Sequence, residues 1–442
     1  MRNGNGTGTA HGTGRAATTR GTGSLAKGGS HVPPGRQVSL KGGGTASIRP
    51  NGQIRSINRN GMQINHGLNG SRRIESTHNG ARVVSTGKNS GYVQRNYVTR
   101  NGHTYVSRTV VVNHVTYTSV YRSYSYGGYC CYYGYHPAFF YAPVYYGWAY
   151  NPWPAPINYG WGWGGAPWYG YYGAYFTPYP VYPSAAFWLT DYLISANLQA
   201  AYAARNSGGD GSEAGNNENG NGGGNDNGNN GNGNQSSAGG GNDASASNSG
   251  PVTLSPEVKQ AIADEVKAQL AAEQTAAQQE SSAGAQASAS KEELPPALDP
   301  ARRTFVVAGD MAVTADGQEC QLSQGDVITR TSDTPDSDRN VIVSVAASKK
   351  ADCAVGKQVA VSVDDLQEMY NHFQEQLDNG MKDLASKQGT SGLPKAPETS
   401  TTASEVPPPP PDTGAAKTLQ DQQQAADQAE AQVVKEAFSQ GS

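Results

Sequence analysis

The 442-residue sequence predicts a mainly β protein with extensive disorder: an antiparallel meander, an aromatic-rich irregular segment closed by a helix, and a small β-barrel carrying a C-terminal helix. Three observations lead there. Asn-Gly pairs recur at nearly even spacing in the first third of the chain. The aromatics are concentrated, with 24 of the 25 Tyr between Tyr92 and Tyr202 and all six Trp between Trp148 and Trp188. Apolar residues make up only 36% of the chain and glycine contributes 56 residues, against roughly 45–50% apolar in a typical domain. Burial on that scale orders only about half of such a chain.

Residues 1–44 are Gly/Thr-rich without periodicity and read as a disordered tail. In residues 45–125, Asn51, Asn60, Asn69, Asn79 and Asn101 each precede glycine, and Asn89-Ser90-Gly91 and Asn113-His114 fall in phase with them. Asn-Gly tolerates the positive φ angles of a type I′ turn, so the spacing predicts hairpins in series. Between the turns lie alternating runs such as Thr104–Val110. The early strands hold little beyond Ile54, Ile57, Ile64 and Ile74, which predicts a single-layer sheet wet on both faces or one ordered against another chain. Over residues 126–205, prolines from Pro137 to Pro183 exclude long helices and central strands. The spacing of Trp188, Tyr192, Leu193, Leu198 and Tyr202 then predicts a helix over 184–205.

Residues 206–250 are a Gly/Asn/Ser linker. Within 251–300, Ser255 and Pro256 start a helix with Val258, Ile262, Val266 and Leu270 on one face. Residues 301–384 read as five short strands, with a turn at Asp316-Gly317, and a helix opened by Asp364-Asp365 that runs through Leu366, Met369, Tyr370, Phe373 and Leu377. Asp310, Asp316 and Asp326 read as surface turn residues. Residues 385–442, with the Pro407–Pro411 run and a Gln/Ala-rich end, read as a disordered tail, helical in part.

The net charge of −3 hides a split: residues 1–205 carry +16 and residues 206–442 carry −19. A split of that size points to polyanion contact by the basic half or to self-association between opposite halves. The 33-residue separation of Cys320 and Cys353 suits one structural disulfide in an oxidising compartment, and two buried free thiols suit it equally. Cys130 and Cys131 with His136 resemble soft-metal ligands, but no second cluster completes a zinc set. Neither a metal nor a cofactor is expected. No apolar segment follows Met1 and no stretch has the length of a membrane span. An extracytoplasmic location is therefore expected only if the start lies upstream.

No Gly-x-Ser-x-Gly occurs, and no glycine-rich stretch ends in Gly-Lys-Ser/Thr after a strand. The carboxylates scatter through linkers and turns. The expectation is a protein that is not an enzyme. The distinctive candidates are aromatic: Trp148, Trp153, Trp161, Trp163, Trp168 and Tyr169, which either stack on sugar rings or bases or pack on each other as a core. Lys and Arg lie mostly before Arg122 while the aromatics peak after it. That segregation favours a glycan-rich or anionic envelope polymer over nucleic acid.

The run from Tyr145 to Asp191, including Trp161-Gly162-Trp163-Gly164-Gly165, resembles that of secreted soil-bacterial proteins, a group with no established activity; the resemblance implies export. The run Leu322-x-x-Gly325-Asp326-x-Ile328 resembles the divergent-turn region of bacterial SH3-like domains, which implies a small barrel of a kind that often binds peptides or cell-wall material. Two function classes follow. One is a structural or interaction protein of the cell envelope or surface. The other is a nucleic-acid-binding protein with a basic first half and an acidic, autoinhibitory second half.

Overall fold

The structure, a computed structural model, describes residues 35–87, 90–112, 115–207, 253–281, 293–350 and 352–438. Ten strands form one antiparallel sheet in chain order. They are β1 (Arg36–Ser39), β2 (Thr45–Ile48), β3 (Ile54–Arg59), β4 (Met62–His66), β5 (Arg72–His78), β6 (Ala81–Gly87), β7 (Ser90–Arg100), β8 (His103–Val112), β9 (Val115–Tyr126) and β10 (Tyr129–His136). The turns follow the asparagines. Asn60-Gly61, Asn79-Gly80 and Asn101-Gly102 each have both φ angles positive, as a two-residue type I′ turn requires. At the opposite end of the sheet, Asn51-Gly52 and Asn69-Gly70 sit in three-residue loops in which only the glycine is left-handed. Asn89, Asn113 and His114 lie outside the described residues. Strand β1 falls inside the stretch read as tail; it hydrogen-bonds β2 through the Gly42–Gly44 turn.

A short strand, β11 (Phe139–Tyr141), leads into α1 (Pro143–Tyr150), α2 (Pro167–Tyr172) and the long α3 (Ala185–Ser207). The prolines, expected to exclude long helices, start the two short ones α1 and α2, because the first helical position needs no N–H. Helix α4 (Pro256–Ser281) buries Ile262, Val266 and Leu270 as its periodicity predicts, and Ser255 Oγ accepts from Val258 N at 3.3 Å.

The second sheet has six strands: β12 (Thr304–Val306), β13 (Met311–Ala315), β14 (Gln318–Leu322), β15 (Val327–Arg330), β16 (Asn340–Ala347) and β17 (Gln358–Ser362). Their order is β12-β15-β16-β17-β13-β14, all antiparallel. The expected closed barrel is not formed: β12 and β14 end the sheet without pairing. Strand β14 is engaged elsewhere, since Glu319 meets Arg49 and Arg55 while Gln321 accepts from Leu68 N at 2.6 Å. Asp316-Gly317 makes the β13–β14 turn, with both φ angles positive. Asp326 is not a surface turn residue; it is fully buried beside Lys349.

Helix α5 (Val363–Lys387) runs ten residues past Leu377, with Ser362 Oγ accepting from Asp365 N as its cap. It lies between both sheets and α3. At Gly380 a Cβ would stand 2.8 Å from Leu189, so glycine permits the close α3–α5 crossing. Asn371 closes the outer edge of β10, donating to Tyr133 O (2.7 Å) and accepting from Tyr135 N (2.9 Å).

The stretch read as a C-terminal disordered tail is ordered over residues 401–438. Strand β18 (Thr401–Ala403) pairs with β11, the proline run crosses β7 and β8, and α6 (Ala415–Phe438) lies across the meander. Ala415, Leu419, Ala426 and Val433 recur on one face of α6 and bury Ile57, Ile64, Ile74, Val83 and Val93. A Cβ at Gly91 would stand 2.8 Å from Leu419, so glycine lets the helix approach. The meander is therefore neither a single wet layer nor dependent on another chain: α6 covers one face, and α5 and the second sheet cover the other. The acidic half pairs with the basic half within one chain. Arg59 meets Glu436, Arg72 meets Asp427 and Glu430, Arg95 meets Asp412, Arg100 meets Glu405, and Arg108 meets Glu368.

A candidate aromatic binding surface

The aromatic segment forms the largest apolar core of the molecule with α3, α4 and α5. Gly162, at φ 71°, turns the chain between Trp161 and Trp163 so that their rings stack at 4.4 Å and 19°. Trp161 stacks on Trp188 at 4.8 Å, and Trp188 on Tyr192, one turn along α3, at 5.6 Å. Four rings thus form a continuous pile. Trp168 meets Trp163 edge-on at 5.3 Å and Tyr169 lies 6.0 Å from it. Trp148 and Trp153 form a second group: Trp148 stacks on Tyr145 at 5.5 Å and tilts against Trp153 at the same distance.

The six candidate residues divide. Trp153 and Trp168 are buried in the core, whereas Trp148, Trp161, Trp163 and Tyr169 are half-buried. Around the half-buried rings, Gly160, Gly162, Gly164, Gly165 and Gly170 face open space. At these positions no side chain stands beside the rings of the Trp161–Trp163 pile. Tyr159, edge-on to Trp161 at 5.0 Å, belongs to the same surface and was missed. Its signal was the Tyr-Gly-Trp spacing itself. Trp188 was assigned to a helix face and serves also as the floor of the pile.

Beneath the pile lies a polar chain. Trp161 Nε1 donates to Tyr182 Oη (2.6 Å), and Tyr182 Oη donates to Asp191 Oδ2 (2.7 Å), which also accepts from Tyr179 N (2.6 Å). Lys259 Nζ of α4 sits 2.7 Å from Asp191 Oδ1, with the Tyr179 ring centre at 3.6 Å. Burial pushes the Asp191 carboxyl up and the Lys259 amine down, against their mutual attraction.

A depression of about 250 Å³ between β9, β10 and α5 is lined by Tyr117, Tyr135, His136, Glu375 and Lys382 among others. Burial raises Glu375 to about 7 and Asp378 to about 6 and lowers His136 to about 4. Tyr121 donates to Glu375 and Tyr135 to Asp378, so both carboxyls are held by phenols. His136 packs edge-on against Tyr105 at the far end of β10 from Cys130 and Cys131, six residues or roughly 20 Å of strand away. It therefore cannot share a metal with them. Among the described residues no group of His, Cys, Asp and Glu could hold a metal ion. Cys320 and Cys353 are disulfide-bonded, with Cα atoms 5.1 Å apart. No helix among the described residues is long and apolar enough to cross a membrane. No protein-family model matches the chain, and neither does a curated protein or a solved structure.

Proposed function

We propose that the chain is a non-enzymatic interaction protein of the cell envelope or cell surface that holds glycan polymers on its aromatic surface. The observation that carries this reading is the half-buried Trp161–Trp163 pile bordered by glycines with open space around them. Flat, rigid rings flanked by bare backbone suit the apolar faces of sugar rings, which need stacking area more than charge. The arginines of the meander support a neutral rather than an anionic ligand, because Arg59, Arg72, Arg95, Arg100 and Arg108 are already paired with the chain's own carboxylates. The Cys320–Cys353 bridge supports an extracytoplasmic setting.

One observation favours the second reading, a nucleic-acid-binding protein held off by its acidic half. Glu405, Asp412, Asp427, Glu430 and Glu436 all lie on one face of the meander against its arginines. A single experiment separates the two: retention of the full chain on peptidoglycan, neutral polysaccharide, heparin and DNA across a salt series. The glycan reading expects salt-resistant retention on the first two matrices that is lost in Trp161→Ala with Trp163→Ala. Retention on heparin or DNA alone, strengthened by Asp427→Lys with Glu430→Lys and lost at high salt, would replace it with the second reading.

A further inference from the structure

We propose that Lys259 and Asp191 join in an intramolecular isopeptide bond that ties α4 to α3. The two residues lie on opposite sides of the 208–252 segment, and both are enclosed, Asp191 at 0% and the Lys259 side chain at 8% exposure. Lys259 Nζ stands 2.7 Å from Asp191 Oδ1, and no other group is hydrogen-bonded to that oxygen. The amine is thus the one neighbour in contact with Oδ1. The other oxygen, Oδ2, is held by Tyr179 N–H at 2.6 Å and Tyr182 O–H at 2.7 Å, and Tyr182 is itself fixed by Trp161 Nε1. Two preset donors on one carboxyl oxygen are the arrangement that stabilises a tetrahedral acyl intermediate. Thr177 O, 2.8 Å from Nζ, accepts an N–H of the amine.

The step balances without any co-reactant. The unprotonated Lys259 amine attacks Cγ of the protonated Asp191 carboxyl, and negative charge collects on Oδ2 between its two donors. The Nζ–Cγ bond forms and the Cγ–Oδ1 bond breaks. Oδ1 leaves as water with its own proton and one from nitrogen, and the remaining amide N–H points at Thr177 O. Burial among Phe176, Tyr179 and Tyr182 favours the neutral forms of both groups that this step requires.

A second buried Lys–Asp pair supplies the contrast. Asp326 accepts from Ser323 N (2.8 Å), Lys349 N (3.0 Å) and Ser348 Oγ (3.4 Å), and Lys349 Nζ stays 3.4 Å away while donating to Gln324 O. Burial pushes that carboxyl up and its amine down as well, so the difference between the two pairs is geometric: both Asp326 oxygens are held by donors other than the amine, and the amine stands farther off.

The test is mass spectrometry of the full chain, reduced and unfolded, with digestion by a lysine-specific protease. The expected result is a chain one water lighter than its composition, uncut at Lys259, yielding a branched peptide that contains both Asp191 and Lys259. Lys259→Arg should have full mass and no branched peptide. Cleavage at Lys259 in a wild-type chain of complete mass overturns the proposal. So does a mass deficit without the branched peptide, since cyclisation elsewhere in the chain would account for it.

Discussion

The buried pair Arg108–Glu368 joins the meander to α5, and removing one partner should cost more than removing both. The Arg108 side chain is 2% exposed and meets both Glu368 oxygens at 2.7 Å. It also meets Gln94 Oε1 at 2.8 Å and, most closely among the rings, the faces of Tyr92 and Tyr121 at 4.4 and 4.0 Å. In Glu368→Leu the guanidinium stays enclosed without its counter-ion. Breaking a buried pair in this way costs about 3–5 kcal/mol. The two ring faces return part of that, roughly 1–2 kcal/mol, so a loss of about 3 kcal/mol is expected. The double variant Arg108→Met with Glu368→Leu buries no lone charge and should be more stable than Glu368→Leu alone, with a coupling of roughly 2–3 kcal/mol. Urea unfolding followed by tryptophan fluorescence and far-UV circular dichroism measures these two variants and Arg108→Met alone, which completes the cycle. Costs that simply add, within about 0.5 kcal/mol, would refute the reasoning and reduce the pair to two independent contacts.

Three further outcomes are expected. Burial holds Glu375 at about 7, Asp378 at about 6 and Glu273 at about 8. These folded values lie above the unfolded carboxylate value of about 4, so their contribution is fully present below that pH and is lost as pH rises through about 6–8. The urea midpoint should therefore fall between pH ~5 and ~8, less so in Glu375→Gln; a midpoint that rises over that window contradicts the assignment. Leu419→Asp with Val433→Asp should detach α6: at about 1.5–3 kcal/mol per buried aliphatic, its open population rises by roughly 10²–10⁴-fold, read as faster proteolysis within 415–438. Cys320→Ser opens the loop to Cys353 and should destabilise the second sheet by about 3–4 kcal/mol, seen as a lower denaturation midpoint that added reductant does not lower further.

Local chemistry was legible in the sequence. Each Asn-Gly pair carries its own turn, because positive φ is a property of those two residues and needs no partner. The α3 and α4 faces, the Ser255 cap and the Asp316-Gly317 hairpin were readable for the same reason: spacing along one element sets which residues share a side. The candidate site was half legible. Composition located the aromatic segment, and the order Tyr-Gly-Trp-Gly-Trp brought Trp161 and Trp163 together.

Tertiary structure alone decided what covers what. Helix α6 turns small or scattered apolar residues, Ala415, Leu419, Ala426, Ala429 and Val433, toward a sheet that offers scattered isoleucines and valines, and neither side looks like a core by itself. Together they are one, because burial depends on the area two surfaces remove from water jointly. The same holds for the tryptophans, where Trp153 and Trp168 are enclosed and Trp161 and Trp163 keep a rim, a division set by α3 and α4 rather than by the residues' own neighbours. It holds for charge as well: the sequence determined that one half is basic and the other acidic, and the fold decided that each would neutralise the other within a single chain. Short-range preferences are properties of a few bonded residues, whereas burial and ion pairing are set by groups hundreds of residues apart that only the folded chain brings into contact.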